Sequence, residues 1–221
     1  MRVLAIFCLC GILAGASAFE LAAQDKSKLF KEEKDTTGDG KIDTWSYINN
    51  NSKIELTESD NNSDALVDKW SFFTPEGVAD SLLADTDFDG KVDTRLFFNE
   101  KGEKVRQEKD ADNNGKVDQW LYYDLATGNP AKIEIDSKGK GVDQTVYYLV
   151  DGTKERMEQD ADGDGKVDRW ISYWPNGKPK EIGYDTTKDG KPNVWQQYNE
   201  DGSKGKAGFD TDGDGKPDKW Q

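Results

Sequence analysis

Aromatic and β-branched residues are bunched in short runs that return every 25 residues: WSYI at 45, WSFF at 70, RLFF at 95, WLYY at 120, TVYY at 145, WISY at 170 and WQQY at 195. Residues of this kind suit a pleated, half-buried surface. A glycine turn follows each later run at a near-constant offset, as in Pro75-Glu76-Gly77 and Pro175-Asn176-Gly177. Next comes a more polar run with one apolar position near its end (Leu82, Ile133, Met157, Ile182, Ala207). Two short runs joined by a glycine turn predict a β-hairpin, and the period predicts seven of them in series across residues 35–221. A lone hairpin is marginal in water, so the repeats must stack on one another to bury their aromatics.

The expected fold is therefore all-β: tandem 25-residue hairpins in an elongated or curled sheet, meander-like or solenoid-like. The first strand of the middle repeats is apolar on both faces (Leu96 and Phe98 beside Phe97), so the sheet should curl or pack against something on its second face. Residues 19–34 are expected to form a short helix or an irregular cap.

Between hairpins lies an acidic loop, starting at Asp35, Asp60, Asp85, Asp110, Asp160, Asp185 and Asp210, with a degenerate eighth copy at Asp136. Its fullest form, D-x-D-x-D-G-x-x-D, occurs as Asp85, Asp87, Asp89, Asp93; as Asp160, Asp162, Asp164, Asp168; and as Asp210, Asp212, Asp214, Asp218. A fourth copy, Asp110, Asp112, Asn114, Asp118, replaces one carboxylate with an amide oxygen. Calcium takes six to eight oxygen ligands at about 2.3–2.6 Å, which alternate residues of a tight loop can supply. The backbone carbonyl at position 7 (Lys91, Lys116, Lys166, Lys216) would add a further ligand. Glycine at position 6 permits the sharp turn. A weaker site is expected at Asp35, Thr37, Asp39 and Asp43, and another at 185, where Thr187 and Asn193 stand in for acids. At 136, Lys138 and Lys140 occupy carboxylate positions, and Lys140 is expected to act as an internal cation.

The loop resembles the first half of an EF-hand but is not one. The twelfth positions (Ser46, Ser71, Leu96, Leu121, Val146, Ile171, Gln196, Gln221) hold no acid, and no helix is predicted after them. It is more similar to the calcium loops of thrombospondin type 3 repeats and of integrin-type propellers. That resemblance implies a metal role for the loop residues; it does not extend to the fold, since the period is too short for a four-stranded blade.

Composition narrows the function. There is no histidine, which removes the commonest general base and the usual zinc and copper ligands. The formal charge is −14, and −15 without residues 1–18, whose only charge is Arg2; such a chain repels nucleic acid and anionic lipid. Arg2, the apolar run to Gly15 and Ala16-Ser17-Ala18 read as a signal peptide cut after Ala18. Secretion, to the periplasm, the cell surface or beyond, follows from that reading, with no membrane span left after cleavage. Cys8 and Cys10 both fall in the leader, so no disulfide is expected in the exported chain. The grid tryptophans (Trp45, Trp70, Trp120, Trp170, Trp195, Trp220) are expected to cover the bases of their loops, and the off-grid Trp174 to be the exposed contact. The expected function is a non-enzymatic, calcium-binding repeat protein with a structural or adhesive role toward a cell-surface glycan or protein. The alternative is a lectin-like module engaging glycans through tryptophan and tyrosine.

Overall fold

The computed structural model describes residues 26–221. The expected signal peptide, both cysteines and residues 19–25 lie outside the described residues. A 3-10 turn at Lys26–Lys28 leads into strand β1 (Phe30–Lys34). Three hairpins follow: β2 (Thr44–Ile48) with β3 (Ile54–Ser59), β4 (Lys69–Phe73) with β5 (Ala79–Ala84), and β6 (Thr94–Phe98) with β7 (Lys104–Lys109). Next are β8 (Gln119–Tyr123) with β9 (Pro130–Ile135) and β10 (Gln144–Tyr148) with β11 (Lys154–Gln159). The series ends with β12 (Arg169–Tyr173) and β13 (Pro179–Tyr184), β14 (Val194–Tyr198) and β15 (Lys204–Phe209), and a short β16 (Lys219–Trp220).

All sixteen strands form one open sheet in strict sequence order, antiparallel at every pair. This is the all-β meander of seven hairpins, and it is not closed. The expected cap is corrected in part: Phe30–Lys34 is a strand, registered from Phe30 opposite Ile48 to Lys34 opposite Thr44. The first acidic loop needs a strand on each side, and this segment supplies the missing one. Of the two expectations for the second face, curling or packing against another element, the second is not met among the described residues. Every substantial inter-strand contact is between neighbours in the sheet, so the described residues form a single layer.

Side chains of a strand alternate between faces, and the registers sort them into continuous rows. One row runs Trp45, Glu58, Trp70, Leu83, Arg95, Glu108, Trp120 and Glu134. It continues through Thr145, Glu158, Trp170, Gly183, Trp195, Gly208 and Trp220. The opposite face carries Leu121, Ile133, Val146, Met157, Ile171 and Ile182 as an unbroken aliphatic row. Val146, Ile171 and Ile182 are buried in that row. Cross-strand pairs of this kind each contribute about 0.2–1 kcal/mol, which the sheet accumulates along its length.

A second device recurs on the tryptophan face. Tyr47 Oη donates to Glu58 Oε2 at 2.9 Å, while Lys26 Nζ donates to Glu58 Oε1 at 2.6 Å and lies 4.7 Å from the Tyr47 ring. Burial, then the Glu58 carboxylate, pushes the Tyr47 phenol up to about 12. The same arrangement joins Tyr122, Glu134 and Lys132, with the ammonium 4.3 Å above the ring, and Tyr147, Glu158 and Arg156. Lys26 thus supplies from the 3-10 turn the cation that the later repeats carry within a strand.

In each hairpin the register shifts once near the end of the first strand, as between Phe72 and Phe73 or between Tyr147 and Tyr148. The bulge gives the return strand one extra residue and strengthens the local twist. It also places Pro130 and Pro179 as the first residues of β9 and β13, where a missing N–H is tolerated. The consequence for the sites is geometric. All the glycine turns fall along one edge of the sheet and all eight acidic loops along the other, each loop two strands from the next, or about 9–10 Å.

Candidate metal loops

Each loop is shaped by its own carboxylates. In the loop at 160, Asp160 accepts the amides of Gly163 at 2.6 Å and Gly165 at 2.8 Å. Asp168 accepts those of Ala161 and Asp162, both at 3.1 Å. Asp164 accepts the Lys166 amide at 2.9 Å. Position 1 therefore ties down the middle of the loop, position 9 its beginning and position 5 its end. The same contacts recur at 210, where Asp210 takes Gly213 and Gly215, Asp218 takes Thr211, and Asp214 takes Lys216.

Consecutive loops are fastened by one backbone hydrogen bond, from the position 1 amide to the position 9 carbonyl of the loop before. Asp85 donates to Asp68, Asp110 to Asp93 and Asp160 to Asp143, each at 2.8 Å.

Positions 4 and 6 take positive φ. Gly165 sits at φ +89 with nothing within 4 Å of the place its Cβ would occupy, so glycine is there for its backbone and not for space. Ala65 fills the same position in the loop at 60, at φ 73. An L-residue in this region costs roughly 1–2 kcal/mol, part of which glycine gives back in unfolded-state entropy. Ala65→Gly is expected to raise stability by about 0.5–1 kcal/mol, read as a higher thermal midpoint; an unchanged or lower midpoint would contradict the strain.

In four loops the carboxylates of positions 1, 3 and 9 converge. Asp85, Asp87 and Asp93; Asp110, Asp112 and Asp118; Asp160, Asp162 and Asp168; and Asp210, Asp212 and Asp218 each offer oxygens lying within 4.8 Å of one another. That span is close to twice a calcium–oxygen bond, so the three oxygens are near enough to one another to share an ion. Position 5 (Asp89, Asn114, Asp164, Asp214) contributes none of its three carboxylates to the converging oxygens. One of its oxygens is committed to the position 7 amide of Lys91, Lys116, Lys166 or Lys216. That commitment was hidden in the sequence, because an Asx turn and a metal ligand call for the same residue.

The incomplete loops keep the shape without the triad. Thr37 turns its hydroxyl onto Asp35 at 3.2 Å, and Thr187 onto Asp185 at 3.0 Å. Asp39 caps the Lys41 amide at 2.9 Å. Asp43 is held down to about 2: burial alone would raise it, but hydrogen bonds from Thr36, Thr44 and the amides of Thr37 and Thr36 outweigh that. In the loop at 136, Lys140 does not act as an internal cation. Lys138 has that role toward the following loop, its Nζ lying 3.3 Å from Asp160 O and 3.0 Å from Ala161 O. Lys140 contributes only its backbone amide, to Asp136.

The four triads differ electrostatically. Burial pushes Asp85 up, and burial reinforced by Asp112 and Asp110 does the same to Asp118. The Lys188 ammonium holds Asp162 down, and the Gly215 amide leads those that lower Asp210. Asp118 Oδ1 is buried with no hydrogen-bond partner, an orphaned lone pair of the kind that native structures supply with water or an ion.

Two tryptophan expectations meet different outcomes. Trp195 lies against its own loop: a Cβ on Gly183 would meet the Trp195 ring and Pro192, both at 3.2 Å. Trp220 lies likewise over Gly208 and Pro217. Trp174 is not a free contact, because its indole Nε1 donates to Tyr198 O at 3.0 Å and Lys180 sits 5.0 Å above the ring.

Fold and loops together define an open, single-layer β-repeat protein with a line of acidic loops along one edge. No family model matches the chain, and no curated protein matches it. Among solved structures, a Staphylococcus aureus TarM mutant in complex with Fondaparinux, alpha-GlcNAc-glycerol and UDP is similar at 14% identity and a TM-score of 0.37, covering 63% of this chain and 24% of that one. The accessory secretory proteins 1, 2 and 3 of Streptococcus pneumoniae give 16% identity and a TM-score of 0.36, over 57% of this chain and 22% of that one. The chain thus spans about a quarter of the length of these matches, and likeness at this level assigns no function.

Proposed function

We propose that the protein is an exported, non-catalytic repeat protein, braced by calcium along one edge of its sheet, with a structural or adhesive role at or outside the cell surface. The observation that carries the calcium reading is the third carboxylate. Loops with Thr37, Asn62, Lys138 or Thr187 near that point close with the same position 1 contacts, so the turn does not require an acid there. Four loops nevertheless bring three carboxylates within 4.8 Å. Each such pair repels by roughly 3 kcal/mol at an effective dielectric of 20. A divalent cation converts that repulsion into binding, and oxygen-only ligands of this kind suit calcium.

Export is supported by the leader-like pattern of residues 1–18. The absence of histidine and the commitment of position 1, 5 and 9 carboxylates to turn amides support a role without catalysis. Among the described residues, no helix is long and apolar enough to cross a membrane. Titration calorimetry of the calcium-stripped protein should give four ions per chain, the number of triads. Asp112→Asn, at an exposed position whose contact with the Asn114 amide an amide oxygen can keep, should reduce the count to three with the sheet intact. A chain that takes up no calcium would remove the reading.

A further inference from the structure

The loop at 160 matches the nine-residue pattern at every acidic position, yet its surroundings set it apart. Lys188 Nζ lies 2.6 Å from Asp162 Oδ2, the position 3 carboxylate of the triad Asp160, Asp162 and Asp168. The ammonium comes from the next loop and is itself a cation seated on one carboxylate of the triad. Lys188 occupies position 4, where φ is +64; the loops at 160 and 210 use Gly163 and Gly213 there, at φ +79 and +81. From that backbone geometry the Lys188 side chain extends back onto position 3 of the preceding loop. The same reach occurs from Asn113 to Asp87, but with a neutral amide. After the loop at 110 the equivalent residue is Gly139, with no side chain to reach. On the other flank, Lys138 places a second ammonium on the carbonyls of Asp160 and Ala161.

We propose that Lys188 is a tethered competitor for the cation of the loop at 160, so that this loop fills at a higher calcium concentration than those at 85, 110 and 210. The inference rests on the reading of these loops as calcium sites. An arriving ion must displace the ammonium from Asp162 or bind beside its charge. Occupancy along the edge is then staged, with the 160 loop last.

The position 6 glycines report each loop separately. In a calcium titration of the full chain followed by amide NMR, the Gly165 cross-peak should move at higher calcium than those of Gly90, Gly115 and Gly215. Exposed ion pairs of this kind contribute up to about 1 kcal/mol, so Lys188→Met should lower the Gly165 midpoint roughly two- to fivefold and leave the other three in place. Lys188→Arg, which keeps the charge, should leave Gly165 near its original midpoint. The Lys188 side chain is 68% exposed, and unchanged calcium-free spectra would show that the variants fold. A Gly165 midpoint that ignores Lys188→Met while the other glycines titrate overturns the competition alone. Four glycines that all ignore calcium overturn the site reading, and this inference with it.

Discussion

Removing calcium is expected to lower the melting temperature of the protein by roughly 10–20 °C. Calcium modules outside cells bind with dissociation constants of about 10⁻⁴–10⁻³ M, and an ion at ten times that value stabilises by about 1.4 kcal/mol. Four triads then contribute roughly 5–6 kcal/mol, comparable with the whole stability of many domains. For a chain of this size each kcal/mol moves the midpoint by about 2–4 °C. The origin of the effect is electrostatic: four divalent ions add eight positive charges to a chain whose formal net charge is −14. It is amplified by position, because Asp110, Asp160 and Asp210 each donate their amide to the last residue of the previous loop. An ion that fixes one loop therefore fixes the start of the next hairpin. Circular dichroism melts in millimolar calcium and in chelator measure this directly. Coincident curves would show that the sheet stands without ions.

The second large effect is expected from Leu56→Ala. Leu56 is fully enclosed, at 0% exposure, although it belongs to a single-layer sheet. It lies between Tyr47 and Phe72 in register on the tryptophan face, next to the Tyr47, Glu58 and Lys26 cluster. Truncation of an enclosed leucine costs about 2–5 kcal/mol, because the lost transfer energy is joined by a cavity that neighbours close only in part. In a repeat array each unit is stabilised mainly by its neighbours, so the loss should be local. Hydrogen exchange should quicken in β2 to β5, while the amides of β10 to β14 keep their protection. Ile54→Ala on the same strand, at a residue 38% exposed, should stay within about 0.5 kcal/mol. Equal costs at the two positions would mean that lateral packing does not hold the early hairpins.

The aromatic runs, the glycine turns and the acidic loops could be placed from sequence because each is written within nine or ten consecutive residues. WLYY at 120 becomes β8 and WISY at 170 becomes β12 almost to the residue. Phe30–Lys34 escaped because its sequence, FKEEK, has no apolar alternation; it is a strand only because β2 offers it a partner. The assignment of Lys140 failed for a related reason. Its position in the loop was legible, but the direction in which the neighbouring Lys138 extends depends on the next repeat. Trp174 looked free because no local pattern claimed it, whereas its partner is a carbonyl 24 residues away.

The sequence by itself determined the period, the hairpins, the loop chemistry and the absence of a histidine- or cysteine-based site in the repeats, since all of these are local or compositional. Only the tertiary structure decided that the hairpins lie in one open layer and that the carboxylates of positions 1, 3 and 9 converge while those of position 5 stay outside the triad. It also decided that the loop at 160 shares its Asp162 carboxylate with Lys188. The physical reason is that side chains 25 residues apart become neighbours only when hairpins pair. Charges brought that close change what a loop can bind without changing a letter of its motif.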